Sequence, residues 1–551
     1  MRSFLGREAL PERVDIVVLG GGINGVALAA ECARAGKSVL LVERHDFASG
    51  ATSRGSRIVY GGLHYLERGE FGMLRESLRG RAALLRGQPH LVQPLDFVFA
   101  AAPRSRYSAT EIRAALWLYR KLGGRLAAGA DPDAQLEDAE IDLLRKQLDP
   151  AQRLYRYQDA LCEFPERLVA DWLVEACAAG AIARNHVEPL AIRATGGRVR
   201  GVFLRDSLTG NDSYVESEWV VNASGPWVEI VRGLTGFAAG LPLLTQVRTT
   251  HLMLRRFPGA PSIGVQISGA RPITIAPWNG MLLVSSGCSA FTGDPSQAAP
   301  RAEDVRSLMD SVAAFFPNAH LGADDIVYSY CGVRPLAWNG GAKALPSGFG
   351  SLASPHVLHN HADEGAMGLL STFGGSLATA ASLARATART MGLSAPPQPA
   401  AHIALGGANG VENTLRQWAL AVQSATGIPS QSTEAIARWH GRHAMCVVQT
   451  AMHDPCMRMP IVDGRPQLVA QAVEAVAYEH AVTLADILLR RVPMAFDQNW
   501  SEESTAQAAA RIAPALHWSE RRMREEIEAF NEERRHFLYE PRNLEPNHVA
   551  A

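Results

Sequence analysis

The chain has 551 residues, 47% hydrophobic and 20% charged, with a formal net charge of -1, so two or three packed domains are expected and bulk attraction to nucleic acid is excluded. Its seven cysteines are scattered, with no C-x-x-C and no His/Cys cluster at zinc spacing, which argues against a disulfide framework or a structural metal and for a reducing compartment. The opening MRSFLGREALPERVDIVVLGGG has no signal-peptide pattern and no later stretch offers the roughly 18 apolar residues of a membrane span, so a cytoplasmic protein, soluble or peripheral on the inner face of the membrane, is expected.

Val14–Leu19 reads as a strand stopped by Gly20, Gly21 and Gly22, Val26–Ala35 as an Ala-rich helix ended near Gly36, and Ser38–Val42 as a second strand. A strand, helix, strand unit implies a parallel sheet. Its turn carries G-x-G-x-x-G as Gly20, Gly22 and Gly25. The first glycine permits the tight turn, the second lets backbone approach a pyrophosphate, and the third lets helix close on strand, while the helix N-terminus offers free N–H groups to phosphates. Glu43 ends the second strand, where a carboxylate accepts hydrogen bonds from both ribose hydroxyls. The motif serves FAD and NAD alike.

Gly50–Arg57, GATSRGSR, is small and hydroxyl-rich, suited to wrap a second phosphate and the flavin side of a dinucleotide or to form an ordinary polar loop. Arg104–Arg125 interleaves Arg113, Arg120, Lys121 and Arg125 with Ile112, Leu116, Trp117 and Tyr119, the pattern either of an interfacial membrane helix or of a surface helix packed on its own domain. Trp219–Ala223, Met281–Ser286 and Ile326–Tyr330 read as strands. The glycine-marked segments Asn222–Trp227 and Phe373–Ser376 suggest a nucleotide fold assembled from distant pieces, which favours FAD over a single-unit NAD domain. Residues 391–410 concentrate Pro and Gly as a connection does, and beyond them Leu468–Leu489 and Ser519–Phe537 read as long helical runs.

The N-terminal stretch DIVVLGGGINGVALAAECARAGKSVLLVERHDFASGATSRGSRIVYGGLHYLERGEF, with NASGPWV, TTHLML, IAPW, DDIVYSYCGVRPL, STFGGSLATA, ALGG and YEHAVTLADILLRR after it, resembles the FAD-dependent (aerobic) glycerol-3-phosphate dehydrogenase family, within the D-amino-acid-oxidase-like flavoproteins. The resemblance runs in order through nearly the whole chain. It implies an α/β (α+β) fold: a Rossmann-like FAD-binding domain over 1–395 with an interleaved antiparallel-sheet substrate domain at about 90–150 and 240–330, a linker at 396–410 and a C-terminal helical domain over 411–551. It implies that Gly20, Gly22, Gly25 and Glu43 bind the adenosine and pyrophosphate half of FAD, that Thr52, Ser53 and Ser56 lie along the ribityl side, and that Val187 meets the adenine through backbone. Gly374 and Gly375 are then expected to bring a helix N-terminus to the flavin N1 and C2 carbonyl, where a reduced flavin is negative.

On the substrate side, His251, Arg334 and Tyr65 match the family's active-site positions. The types suit the loss of a hydride from a secondary alcohol to flavin N5: a neutral imidazole accepts the hydroxyl proton, and a guanidinium clamps an anionic group. Three departures stand beside them. The family's HGGLRYLE becomes YGGLHYLE, placing His64 where an arginine is usual; FGGKLTTYR becomes FGGSLATAA, placing Ser376 where a lysine is usual; and Thr-Thr-Asp gives way to Ser286-Gly287-Cys288. Protonated His64 would restore part of one charge. The expected enzyme is an FAD-dependent dehydrogenase or oxidase acting on a small CH–OH donor less dependent on phosphate, passing electrons to quinone or oxygen. The competing readings are a flavin-dependent amine or amino-acid oxidase with Arg334 on a carboxylate, and a flavin-retaining binding protein without catalysis.

Overall fold

The computed structural model describes residues 9–101, 107–123, 139–148, 152–236, 240–268, 272–338, 355–396 and 408–540. The Val/Ile/Leu runs at β1 (Arg13–Leu19) and β2 (Val39–Val42) flank α1 (Ile23–Arg34), and β2 is buried at every position, as expected of a strand covered on both faces. Their eight-stranded sheet runs in the order Val357–Asn360, Leu369–Phe373, Asp212–Asn222, β1, β2, Ile182–Arg184, with the Val187–Thr195 and Arg198–Asp206 hairpin joined to Asp212–Asn222. β1 is parallel to β2 on one side and to Asp212–Asn222 on the other, and Leu369–Phe373 is parallel to Asp212–Asn222 in turn. With Ile182–Arg184 parallel to β2, five strand C-termini therefore open onto one edge, where the order reverses at β1. Open α/β sheets bind ligands at such an edge.

A nine-stranded, largely antiparallel sheet contains Val92–Ala101, Arg153–Cys162 and the strands between Leu244 and Ala337. Leu252, Leu254, Val265 and Ile275 pack under helix Ala302–Phe315. Met253, Trp278, Met281, Tyr328 and Tyr330 share a core with Leu484, Leu488, Phe496, Phe530 and Phe537 of the C-terminal helices. Those helices are pinned to the first sheet by buried charge: Asp46 accepts two 2.8 Å bonds from Arg491 and others from Arg490 and Asn185, and Arg167 is paired with Glu479. A buried carboxylate survives there because every lone pair meets a donor.

Several sequence expectations shift. The strand read as Ile326–Tyr330 continues to Ala337, through Pro335, because around Pro335 it pairs only with Leu244–Leu254 and an edge position does not need the missing N–H. The strand read as Trp219–Ala223 begins at Asp212. Leu468–Leu489 is not one helix: Val469–Ala477 ends before His480, whose φ of 59° breaks the turn, and the chain resumes at Asp486–Arg491 after the Asp486 carboxylate has accepted from Val482 and Thr483 N–H. Glu520–Phe537 is helical as expected, with Ser519 Oγ capping Arg522 N–H at 3.2 Å. Within Arg104–Arg125 the helix is Ala109–Gly123, its Ile112, Leu116 and Tyr119 buried in the protein's own core, while Arg104 and Arg125 lie outside the described residues, as does most of the 396–410 linker. No helix among the described residues is long and apolar enough to cross a membrane. All seven cysteines are thiols.

Candidate active site

The turn after β1 is packed to backbone contact. A Cβ on Gly25 would lie 1.8 Å from the Gly20 carbonyl oxygen, and one on Gly20, whose φ is 112°, would lie 2.7 Å from that of Ala223. Both glycines are therefore required by the fold itself. Gly22 differs: its Cβ would meet only Thr52 Oγ1, at 3.3 Å, so the space in front of it is open. Glu43 accepts from Gly21 N–H at 2.7 Å and His45 N–H at 3.0 Å, which fixes its carboxylate at the end of β2. Val187 lies beside it and donates its own N–H to the Glu43 carbonyl at 2.8 Å.

The distant segments converge on this turn. Ala223 abuts Gly20, and Asn24 Nδ2 donates to the Gly374 carbonyl at 3.1 Å. Thr52 Oγ1 accepts from Ile23 N–H at 3.1 Å, buried Ser53 donates to the Gly50 carbonyl at 3.3 Å, and Ser56 bonds Tyr60. Gly374 and Gly375, at φ of 76° and 74°, form the turn into helix Ala380–Thr390, and Ser376 shapes its start: its N–H donates to Thr379 Oγ1 at 2.9 Å and its carbonyl accepts from Thr379 and Ala380. The residues present fit a dinucleotide. They supply a sterically closed glycine turn, a fixed carboxylate, a helix N-terminus and the buried Asn24 Oδ1, which has no hydrogen-bond partner.

Across from this turn, Leu244–Leu254 and its neighbour Ile326–Ala337 pair His251 with Tyr330 and Val247 with Arg334. Side chains alternate along a strand, so His251, Tyr330, Gly332 and Arg334 share one face. The Gly50–Arg57 loop lies on that face: a Cβ on Gly332 would be 2.0 Å from the Arg54 carbonyl oxygen, and Tyr330 donates its hydroxyl to the Gly55 carbonyl at 2.7 Å. The structure thus brings the catalytic and cofactor expectations together.

His251 is 1% exposed, with Nδ1 hydrogen-bonded to Ser285 Oγ at 2.8 Å and its ring stacked on Tyr330. Its Nε2 is buried without a hydrogen-bond partner. Burial, then the charges of Arg57 and Arg334, push its pKa down to about 3, with a backbone contact at Arg54 working weakly the other way, so the imidazole is neutral at physiological pH. His64, on the short helix Leu63–Arg68, is buried beside Tyr60 and the equally buried Tyr65. Burial and then Arg334 and Arg68 bring it too down to about 3. The ring is neutral at this position, so the part of a charge that a protonated His64 would restore is not supplied.

Sequence reasoning missed the supports. Arg57 is fully buried, holds Glu166 through two bonds of 3.0 and 3.1 Å, and lies over the ring of Trp278 at 4.6 Å. Arg81, Tyr119 and Asp159 form a buried knot whose carboxylate accepts Gly61 N–H at 2.7 Å, anchoring the segment that carries His64 and Tyr65. Ser285, immediately before the noted Ser286-Gly287-Cys288, is the partner of His251; strand parity places it opposite His251, a relation visible only once the pairing is known.

The model of the family described as FAD dependent oxidoreductase matches residues 15–381, and that of the C-terminal domain of alpha-glycerophosphate oxidase matches 399–523. A glycerol-3-phosphate dehydrogenase of Synechocystis is 29% identical, covering 97% of this chain and 98% of its own. The D-erythritol 1-phosphate dehydrogenase of Brucella abortus is 33% identical over 68% of this chain and 73% of its own. Among solved structures, the glycerol-3-phosphate dehydrogenase from Bacillus halodurans complexed with FAD superposes with a TM-score of 0.74 at 21% identity, covering 98% of this chain and 97% of that one.

Proposed function

Since the chain belongs to the FAD dependent oxidoreductase family, and is an FAD-binding dehydrogenase of CH–OH donors similar to glycerol-3-phosphate dehydrogenase, we propose that its substrate is a secondary alcohol with at most one weakly anionic group, or a larger molecule held partly by apolar contact, and that glycerol-3-phosphate is used poorly. The observation that carries this reading is the charge at the site: Arg334 remains, whereas His64 is a buried neutral ring and Ser376 is engaged in a helix-start turn. A phosphate dianion would lose charge-assisted bonds worth about 1.5–3 kcal/mol each at those two positions. The D-erythritol 1-phosphate dehydrogenase relative supports a larger hydroxylated substrate in place of glycerol-3-phosphate, with its phosphate kept.

FAD, when bound, supplies the two-electron acceptor for the hydride that leaves the substrate carbon. His251 accepts the hydroxyl proton at Nε2, while Ser285 Oγ, 2.8 Å from Nδ1, holds the orientation of the ring. Arg334 clamps the anionic or developing negative oxygen from the same strand face. Gly20, Gly22, Gly25, Glu43, Thr52, Ser53, Ser56, Val187, Gly374 and Gly375 hold the cofactor, and Tyr65 and His64 wall the substrate side. Electrons pass on to quinone or oxygen. Peripheral contact with the inner membrane face is supported by Trp117, 51% exposed with Lys121 over its ring at 5.7 Å.

The double substitution His64→Arg with Ser376→Lys tests the charge argument. It should raise kcat/KM for glycerol-3-phosphate by at least about tenfold, the equivalent of about 1.4 kcal/mol. No gain, in a variant that retains FAD, would remove the support for a pocket tuned by those two positions.

A further inference from the structure

Away from the catalytic face, His359, His361 and Glu364 converge where the edge strand Val357–Asn360 passes into a short helical turn. Two imidazoles and a carboxylate present ligand atoms that all lie within 4.8 Å of one another. His359 lies on the strand and His361 just beyond its end, at the start of the turn that folds Glu364 back over both rings. His359 Nε2 is 2.8 Å from Glu364 Oε1, and His361 Nδ1 is 2.8 Å from Oε2. The outer nitrogen of His361, Nε2, is held by buried Ser371 Oγ at 2.8 Å. None of these residues takes part in the oxidation.

We propose that His359, His361 and Glu364 form a divalent-cation site of the Zn²⁺ class. The donor set is that of zinc, two imidazoles and one carboxylate, with the remaining coordination positions left to water. Ser371 supplies the support that a ligating histidine requires: its Oγ, 2.8 Å from His361 Nε2, holds the ring with Nδ1 facing the carboxylate. Zn–N and Zn–O bonds of about 2.0–2.2 Å at tetrahedral angles place ligand atoms about 3.3 Å apart. The 2.8 Å contacts open to that spacing by a small rotation of Glu364, whose side chain is 28% exposed.

Arg232 donates to Glu364 Oε2 at 3.1 Å and is itself paired with Glu229 at 3.3 Å, so it orients the carboxylate with its own charge largely matched. The spacing His-x-His-x-x-Glu is invisible to a search for His/Cys clusters because its third ligand is a carboxylate. An ion here ties the edge strand to Ser371, two residues before the strand end that delivers Gly374 and Gly375. Its role is to stiffen that hairpin.

Untagged holoenzyme, stripped with a chelator and titrated calorimetrically with Zn²⁺ alone, should bind about one ion per chain and gain thermal stability as Zn²⁺ is added, since an ion that binds only the folded state raises Tm. His359→Gln, at a side chain one third exposed, and Glu364→Gln should each weaken binding at least about tenfold, and Ser371→Ala by about 10–100-fold, with FAD content unchanged. Absence of saturable Zn²⁺ binding in the wild type overturns the site. So does binding that persists undiminished in folded, FAD-containing His359→Gln, because the ion then sits elsewhere.

Discussion

His251 lies stacked on Tyr330, ring centroids 4.7 Å apart and planes at 28°, while the Tyr330 hydroxyl reaches the Gly55 carbonyl. One side chain therefore sets the distance between the proposed base and the loop that faces the cofactor. Phe537 of the last helix packs on the same ring at 5.7 Å, so the C-terminal helices brace this arrangement from behind.

Acid sensitivity follows from the two buried histidines. His251 and His64 titrate near about 3 in the folded protein against 6.5 when exposed. Between those values the unfolded chain binds more protons, so their contribution is fully present above 6.5 and is lost as pH falls through this window. Denaturant midpoints measured at about pH 7 and about pH 5 should drop more in the wild type than in His64→Asn.

The glycine turn separates folding from cofactor binding. Gly25→Ala places a Cβ against the Gly20 carbonyl and should compromise the domain itself. Gly22→Val meets little protein and fills the space kept for a pyrophosphate, so it should fold with native circular dichroism yet purify without yellow colour. Stoichiometric flavin in purified Gly22→Val would contradict this placement.

Docking of the C-terminal helices rests on Asp46. Asp46→Ala leaves Arg490 and Arg491 buried with fewer partners and should cost about 3–5 kcal/mol, read as a lower midpoint or a separate early transition in calorimetry. A loss below about 1 kcal/mol, the range of an exposed pair, would show that these charges are solvated in solution.

Much of this was legible in the sequence because the first βα unit is a local motif: Gly20, Gly22, Gly25 and Glu43 are fixed by spacing along one strand, turn and helix. His251 and Arg334 were legible only through the family resemblance. Nothing local marks a lone histidine before TTHLML's apolar residues, and Pro335 hid the fact that Arg334 sits on a strand. Ser285, Tyr330, Arg57 with Glu166, and Asp159 with Arg81 act through contacts between residues tens to hundreds of positions apart, so pairing register had to come first. The charge of His64 was left open by the sequence for a related reason. A sequence shows the ring but not its burial beside Arg334.

Membrane contact is a narrower matter than the amphipathic pattern implied, since Ile112, Leu116 and Tyr119 already face inward. What remains for a bilayer is Trp117 with Arg113, Arg120 and Lys121. Changing those three basic residues to Glu should shift the protein from membrane pellets to supernatant, at about 1 kcal/mol for each basic group near anionic lipid. A wild type found wholly in the supernatant would refute the contact.

The most direct measurement is anaerobic bleaching of the bound flavin by a panel of neutral polyols, larger polyol monophosphates, glycerol-3-phosphate and amino acids, in wild type and His251→Ala. The account predicts that a polyol or larger hydroxylated compound bleaches the wild type faster than glycerol-3-phosphate, and that His251→Ala slows every alcohol by about 10²–10⁴-fold, the usual worth of a general base. Fastest bleaching by glycerol-3-phosphate, or bleaching by amino acids and by none of the alcohols, would contradict it.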